Sequence, residues 1–169
     1  MNRLLILGAL LLATTGLANA APLKVTLTTP AGLKKEVALR KGKVVVINFW
    51  ATWCKPCVAE FGDLVATQKK FAAKGVELVT VSLDSAEDLE LKVIPFLTRN
   101  GVTKGALLNK DGEMPDVAYF KWLEGKEPDS LAVPRTYVID KRGKVVARMT
   151  GQQSATSFEK AIQKALAAK

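Results

Sequence analysis

The chain predicts an α/β fold of one domain, with a mixed central sheet and helices on both faces. Three observations carry this expectation. Residues 44–50 (VVVINFW) are apolar on both strand faces apart from Asn48, as in a strand covered on both sides. Helical spacing then begins at Pro56 and a second apolar run begins at Val76, which is the order of a parallel βαβ unit. Near the far end, runs 136–140 and 145–150 are separated only by Lys141-Arg142-Gly143 and an adjoining residue, which requires an antiparallel hairpin.

Residues 23–29 alternate, with Leu23, Val25 and Leu27 on one side, and read as a strand. Pro30-Ala31-Gly32 reads as a turn, and Val37 to Leu39 as a short returning strand. Over 56–74, Val58, Phe61, Leu64, Val65 and Phe71 gather near one helical side, and Gly75 ends the helix. Residues 76–83 are the next strand. Asp84-Ser85 is placed to cap a helix over 86–100, which Pro95 should kink or break. Residues 106–108 fit a short strand and 117–123 a short helix. The rest of 104–131, with Tyr119, Trp122 and Gly125, matches no assignable pattern; it either shapes a partner groove or pads the sheet edge. Thr156-Ser157-Phe158-Glu159 has capping-box spacing, and Phe158, Ile162 and Leu166 then form a helical stripe.

The first twenty residues read as an export leader and 21–169 as the domain. Arg3 is followed by an apolar run from Leu4 to Leu17, and Ala18 and Ala20 stand where a signal peptidase needs small residues. An uncleaved anchor is the competing reading, although Thr14, Thr15, Gly16 and Asn19 leave the run short and polar at its end. Export implies a compartment, the periplasm, in which disulfides persist. The formal charge is +9, with lysines spread along the chain and no arginine-rich block, so a solvated basic surface is expected, and no nucleic-acid partner. There is no histidine, which removes Cys/His catalytic pairs and histidine metal sites. No metal or other cofactor is expected, and the mature chain should be a monomer without stable membrane insertion.

The only two cysteines are Cys54 and Cys57. A loop this short constrains the unfolded chain very little, so a structural staple is a poor explanation. Two cysteines alone cannot complete a four-ligand zinc site. Placed between a buried strand and a helix, the spacing points to thiol–disulfide exchange. Cys54, at the helix start, gains from the unpaired N–H groups and the dipole there, and from the charge of Lys55. Pro56 fits the first turn. Cys54 is thus the candidate nucleophile and Cys57, one turn in, the resolving thiol. Glu60 lies three residues beyond Cys57; it is either a proton relay for that thiol or an ordinary solvated glutamate. Pro134 opens a strand, and since only about 5–6% of X–Pro bonds are cis, its isomer is open at this level.

The stretch Val46-Ile47-Asn48-Phe49-Trp50-Ala51-Thr52-Trp53-Cys54-Lys55-Pro56-Cys57, with Val133-Pro134-Arg135-Thr136-Tyr137-Val138-Ile139-Asp140, resembles the exported TlpA/ResA branch of thioredoxin-like proteins. The resemblance implies a thioredoxin-like fold and a thiol:disulfide oxidoreductase. It implies that Pro134 is cis beside the cysteines and that the Val133 backbone pairs with an extended substrate segment. Cytosolic thioredoxins have aspartate where this chain has Asn48, so the relay role shifts to Glu60. Trp53, Lys55 and Pro56 become candidate substrate contacts, and Trp50 a core residue. The partners implied are protein disulfide clients, apocytochrome c among them, and a membrane thiol-reducing donor. A reductase is favoured. A disulfide oxidase or isomerase, or a chaperone or assembly factor of the same fold, is the alternative. A peroxidase is disfavoured, since no isolated peroxidatic cysteine with a distant resolving partner is present.

Overall fold

A computed structural model describes residues 22–112 and 115–168; the leader expected over 1–20 lies outside them. Six strands, β1 (Val25–Thr28), β2 (Val44–Trp50), β3 (Val76–Ser82), β4 (Ala106–Asn109), β5 (Arg135–Ile139) and β6 (Val145–Thr150), form one sheet in the order β1-β4-β3-β2-β5-β6. The first four are mutually parallel, while β5 runs antiparallel to both β2 and β6. The mixed sheet is therefore the expected one. All of β2 is buried, because it has a strand on each side and helices above and below.

Alternation along β2 divides the core. Trp50 packs with Phe61 and Phe96, at ring-centroid distances of 4.7 and 4.8 Å, on the face covered by α2 (Lys55–Phe71), α3 (Ile94–Arg99) and α5 (Ala155–Ala167). Phe49 points the other way, edge-on to Tyr119 at 5.4 Å and Phe120 at 4.9 Å, toward α1 (Pro30–Ala38) and α4 (Val117–Glu124). The strand expected at 106–108 and the short helix expected at 117–123 are β4 and α4, and through α4 the segment 104–131 covers the second face of the sheet. Its Glu124 accepts hydrogen bonds from Tyr137 (2.7 Å) and from the buried Arg135 (3.0 Å). Among the described residues no helix is long and apolar enough to cross a membrane.

Three local expectations are corrected. The turn at Pro30 and the strand at Val37 are one helix, α1. The Thr29 hydroxyl accepts from Gly32 N at 3.3 Å, Pro30 occupies the first turn where its missing N–H is harmless, and Leu33 is buried beneath. The helix expected over 86–100 is interrupted well before Pro95. A 3₁₀ turn (Ala86–Asp88) leads into a wide π turn (Leu89–Val93), and Pro95 sits in the first turn of α3, where it is tolerated. The cap of α5 is Ser154, whose hydroxyl accepts from Ser157 N at 3.3 Å. Glu159 is free of the expected capping box and pairs with Lys70 of α2 at 2.7 Å. Elsewhere the expected elements stand within a few residues. At Gly105 (φ +72°) any β-carbon would lie 2.2 Å from the Leu78 carbonyl, so only glycine lets the chain enter β4 so close to β3.

Candidate active site

The carboxyl end of β2 turns sharply into α2, and Cys54 is the N-cap residue of that helix. Its Sγ receives the backbone N–H of Cys57 at 3.3 Å and is bonded to Cys57 Sγ at 2.05 Å. The two sulfurs differ in access: Cys54 is 6% exposed and Cys57 0%. Lys55 and Pro56 are exposed on the first turn, Trp53 is half exposed beside them, and Trp50 is in the core.

The turn that carries Trp53 and Cys54 is held by a residue that local patterns assign to a different task. Asp84 is fully buried at the end of β3, and its carboxylate accepts from Thr52 N at 3.1 and 3.0 Å, from the Thr52 hydroxyl, and from the Ser82 hydroxyl at 2.5 Å. It caps no helix. Its partner is far away in sequence, and an aspartate before a serine carries a stronger local signal for capping.

Glu60 is 1% exposed on the sheet-facing side of α2, one turn beyond Cys57. Its Oε2 accepts from Gln153 N at 2.7 Å and its Oε1 from Asn48 Nδ2 at 3.3 Å; the same amide donates to the Thr136 hydroxyl at 2.9 Å. Thr80, Asn48 and Thr136 are register partners across β3, β2 and β5, so a polar row lies under the helix within an apolar core. Burial raises the Glu60 pKa from 4.5 to about 7; the bonds from Gln153 and Asn48 oppose that rise but do not cancel it. The solvated-glutamate alternative does not hold.

Opposite the helix start, the Val133–Pro134 bond is cis. The Val133 carbonyl oxygen lies 3.7 Å from Cys54 Sγ. Sheet pairing of β5 begins only at Arg135, while the Pro134 carbonyl is taken by Gly151 N at 2.9 Å, which leaves the Val133 backbone outside the ladder. Cys54, Cys57, Val133 and Pro134 are thus brought together at one end of the sheet, with Glu60 beneath. Trp53, Lys55 and Pro56 lie on the rim. Among the described residues no three His, Cys, Asp or Glu side chains gather as a metal site.

This arrangement can exchange a disulfide: one accessible sulfur at a helix start, one buried sulfur behind it, and a titratable carboxyl near neutrality. Comparison with known proteins agrees. The AhpC/TSA family matches residues 18–148. The chain is 31% identical over 137 residues to the thioredoxin-like protein YneN of Bacillus subtilis, covering 81% of this chain and 74% of that protein. It is 30% identical over 133 residues to the thiol-disulfide oxidoreductase ResA of Bacillus thuringiensis, covering 79% and 69%. Among solved structures, a thioredoxin-family thiol:disulfide interchange protein from Chlorobium tepidum superposes with a TM-score of 0.63 at 26% identity, over 88% of this chain and 99% of that one. The chain therefore belongs to the AhpC/TSA family, as a thioredoxin-like thiol-disulfide oxidoreductase of the ResA type.

Proposed function

We propose that the protein is exported to the periplasm and works there, as a monomer, as a reductase of client disulfides. The observation that carries this reading is the asymmetry of the pair: Cys54 caps the helix beside Val133 and keeps a small exposed area, and Cys57 is sealed behind it with Glu60 one turn further in. In the reduced protein the Cys54 thiolate attacks one sulfur of the client disulfide, and the other client sulfur leaves as a thiolate. Glu60 takes the proton of Cys57, whose thiolate then attacks Cys54 Sγ and expels the first client sulfur. Two electrons pass to the client, its two thiolates take up protons, and the Cys54–Cys57 disulfide remains. A membrane dithiol donor returns the pair to its reduced form by the same exchange in reverse order.

The client segment lies extended along the Val133 backbone, with Trp53, Lys55 and Pro56 at its flank. Strand addition of this kind gives affinity without strict side-chain selection. The reductive direction is supported by the electrostatics. When ionised, Glu60 opposes a second negative charge at the buried Cys57 and so works against the stabilisation that the helix start gives the Cys54 thiolate, which weighs toward a pair that gives up electrons. The pattern of an export leader read in residues 1–20 of the sequence supports export. The disulfide of an apocytochrome c before haem attachment is the client to test first.

Equilibration against a series of glutathione couples tests the direction. A potential near that of thioredoxin, about −270 mV, is expected; one near −120 mV would make the protein an oxidant and overturn the reading.

A further inference from the structure

Six large apolar side chains stand exposed among the described residues, and three of them meet beside the disulfide: Trp53 (51% exposed), Val58 (39%) and Leu91 (83%) line one groove of about 460 Å³. A single exposed leucine needs no explanation, but three such residues on a groove that starts at the neighbour of the attacking sulfur do. Phe96 also lines the groove, and its ring stacks on buried Trp50 at 4.8 Å, so this wall is anchored in the core. The π turn Leu89–Val93 sets the other wall: it buries Val93 completely and leaves Leu91 outside. Wide turns of this kind often occur at functional sites.

The groove has a cationic rim. Lys92 is paired with Asp88 at 2.9 Å, while Arg99 has no hydrogen-bond or ion-pair partner among the described residues. Its position is also telling. Because β2 lies between β3 and β5, the groove formed after β3 and the Val133 carbonyl before β5 flank Cys54 from opposite sides. A polypeptide held at the sulfur by Val133 reaches the groove as soon as it continues past its cysteine.

Resting on the exchange reading above, we propose that this groove is a client subsite: it takes a bulky apolar side chain close to the client's reactive cysteine, with a client carboxylate on Arg99. The occupant is an extended polypeptide, since continuity with Cys54 ties whatever fills the groove to the disulfide under exchange. Strand addition at Val133 selects for backbone; this groove adds side-chain preference to it.

The test uses the protein in its disulfide form and short fluorescent peptides with serine in place of cysteine. One peptide carries leucine and glutamate beside that serine, the other glutamine and serine. Anisotropy should show the first binding about tenfold tighter, as a partly buried leucine predicts. Leu91→Asp should abolish the preference and Arg99→Glu should weaken it; both positions are exposed, so the fold is spared. Exchange of bis(hydroxyethyl) disulfide, which has no side chain for the groove, with the dithiol form of the protein, prepared by prior reduction and removal of the reductant, should run at the wild-type rate in both variants. Equal binding of the two peptides by the wild type, or a preference that survives Leu91→Asp, overturns the subsite. Peptide preference without exchange on the small disulfide leaves the subsite standing and overturns only the exchange reading.

Discussion

Glu60→Gln isolates the carboxyl beneath the disulfide without disturbing its neighbours. The introduced carbonyl can keep the short bond from Gln153 N, and the introduced NH₂ then faces Asn48. Asn48 has a spare acceptor, since its Oδ1 is buried without a hydrogen-bond partner. Turning that amide over lets Oδ1 accept from the new NH₂ and from the Thr136 hydroxyl. The variant is therefore expected to fold and to lose the ionisation, with the turned Asn48 NH₂ left without a partner where Oδ1 stood as a cost of about 1–3 kcal/mol that does not vary with pH.

The magnitude follows from linkage. With the folded pKa raised from 4.5 to about 7, the folded state holds a proton that the unfolded chain releases between those values. Below pH 4.5 both states are protonated and nothing depends on the group. From there to pH 7 the folded state binds more protons than the unfolded one, so stability falls as pH rises and levels off above 7. At about 1.4 kcal/mol per unit, the total loss is about 3 kcal/mol. Denaturant unfolding of the oxidised protein from pH 4 to 8.5 should show this slope in the wild type and not in Glu60→Gln. Parallel curves for the two proteins would refute a buried carboxyl titrating near neutrality, and with it the proton relay. In single-turnover exchange, the same variant should slow release of the mixed disulfide by about 10²-fold or more while leaving the initial attack by Cys54 intact.

Other consequences can be read from neighbouring contacts. Cys57→Ala removes the resolving sulfur, so clients should accumulate as mixed disulfides on Cys54, visible as reductant-sensitive adducts; no adduct with any disulfide substrate would count against the assigned order. Asp84→Ala orphans Thr52 N and the Thr52 and Ser82 hydroxyls at a buried site, a loss of about 3 kcal/mol in denaturant unfolding, together with slower attack by Cys54. Glu124→Ala leaves Arg135 buried without its carboxylate and should cost about 3–5 kcal/mol, with redox potential unchanged because the pair lies on the sheet face opposite α2.

How far the sequence carries depends on the range of the interaction concerned. The strand β2, the helix that follows it and the β5–β6 hairpin are legible because period and burial are local properties of VVVINFW, of Phe61-Leu64-Val65 spacing and of the Gly143 turn. The α1 error is also local. Val37-Ala38-Leu39 is too short to display a period, and Pro30 suits a turn as well as the first turn of a helix, which hides Thr29 as the cap. At α5 two hydroxyl residues two positions apart compete for the cap, and only packing of Phe158 selects Ser154. Glu60 shows the limit most clearly. Its spacing from Cys57 puts it on the buried face, but its depth depends on Asn48, Thr136 and Gln153, which come from three distant parts of the chain.

The same polar row explains why Asn48 suits this site and yields a last prediction. An aspartate here would place a second carboxyl within 3.3 Å of Glu60 in a buried setting, where two charges cannot both be sustained. In Asn48→Asp the two groups should share a proton, and titrate as a pair: one comes off at or below neutrality, the other well above. Stability of the oxidised protein should then keep falling beyond pH 7, where the wild-type curve has flattened. The asparagine avoids this by donating to Glu60 instead of competing with it, leaving one titrating group behind Cys57. If Asn48→Asp gives the wild-type profile, the two side chains do not face each other between α2 and the sheet, and the relay assigned to Glu60 loses its geometric basis.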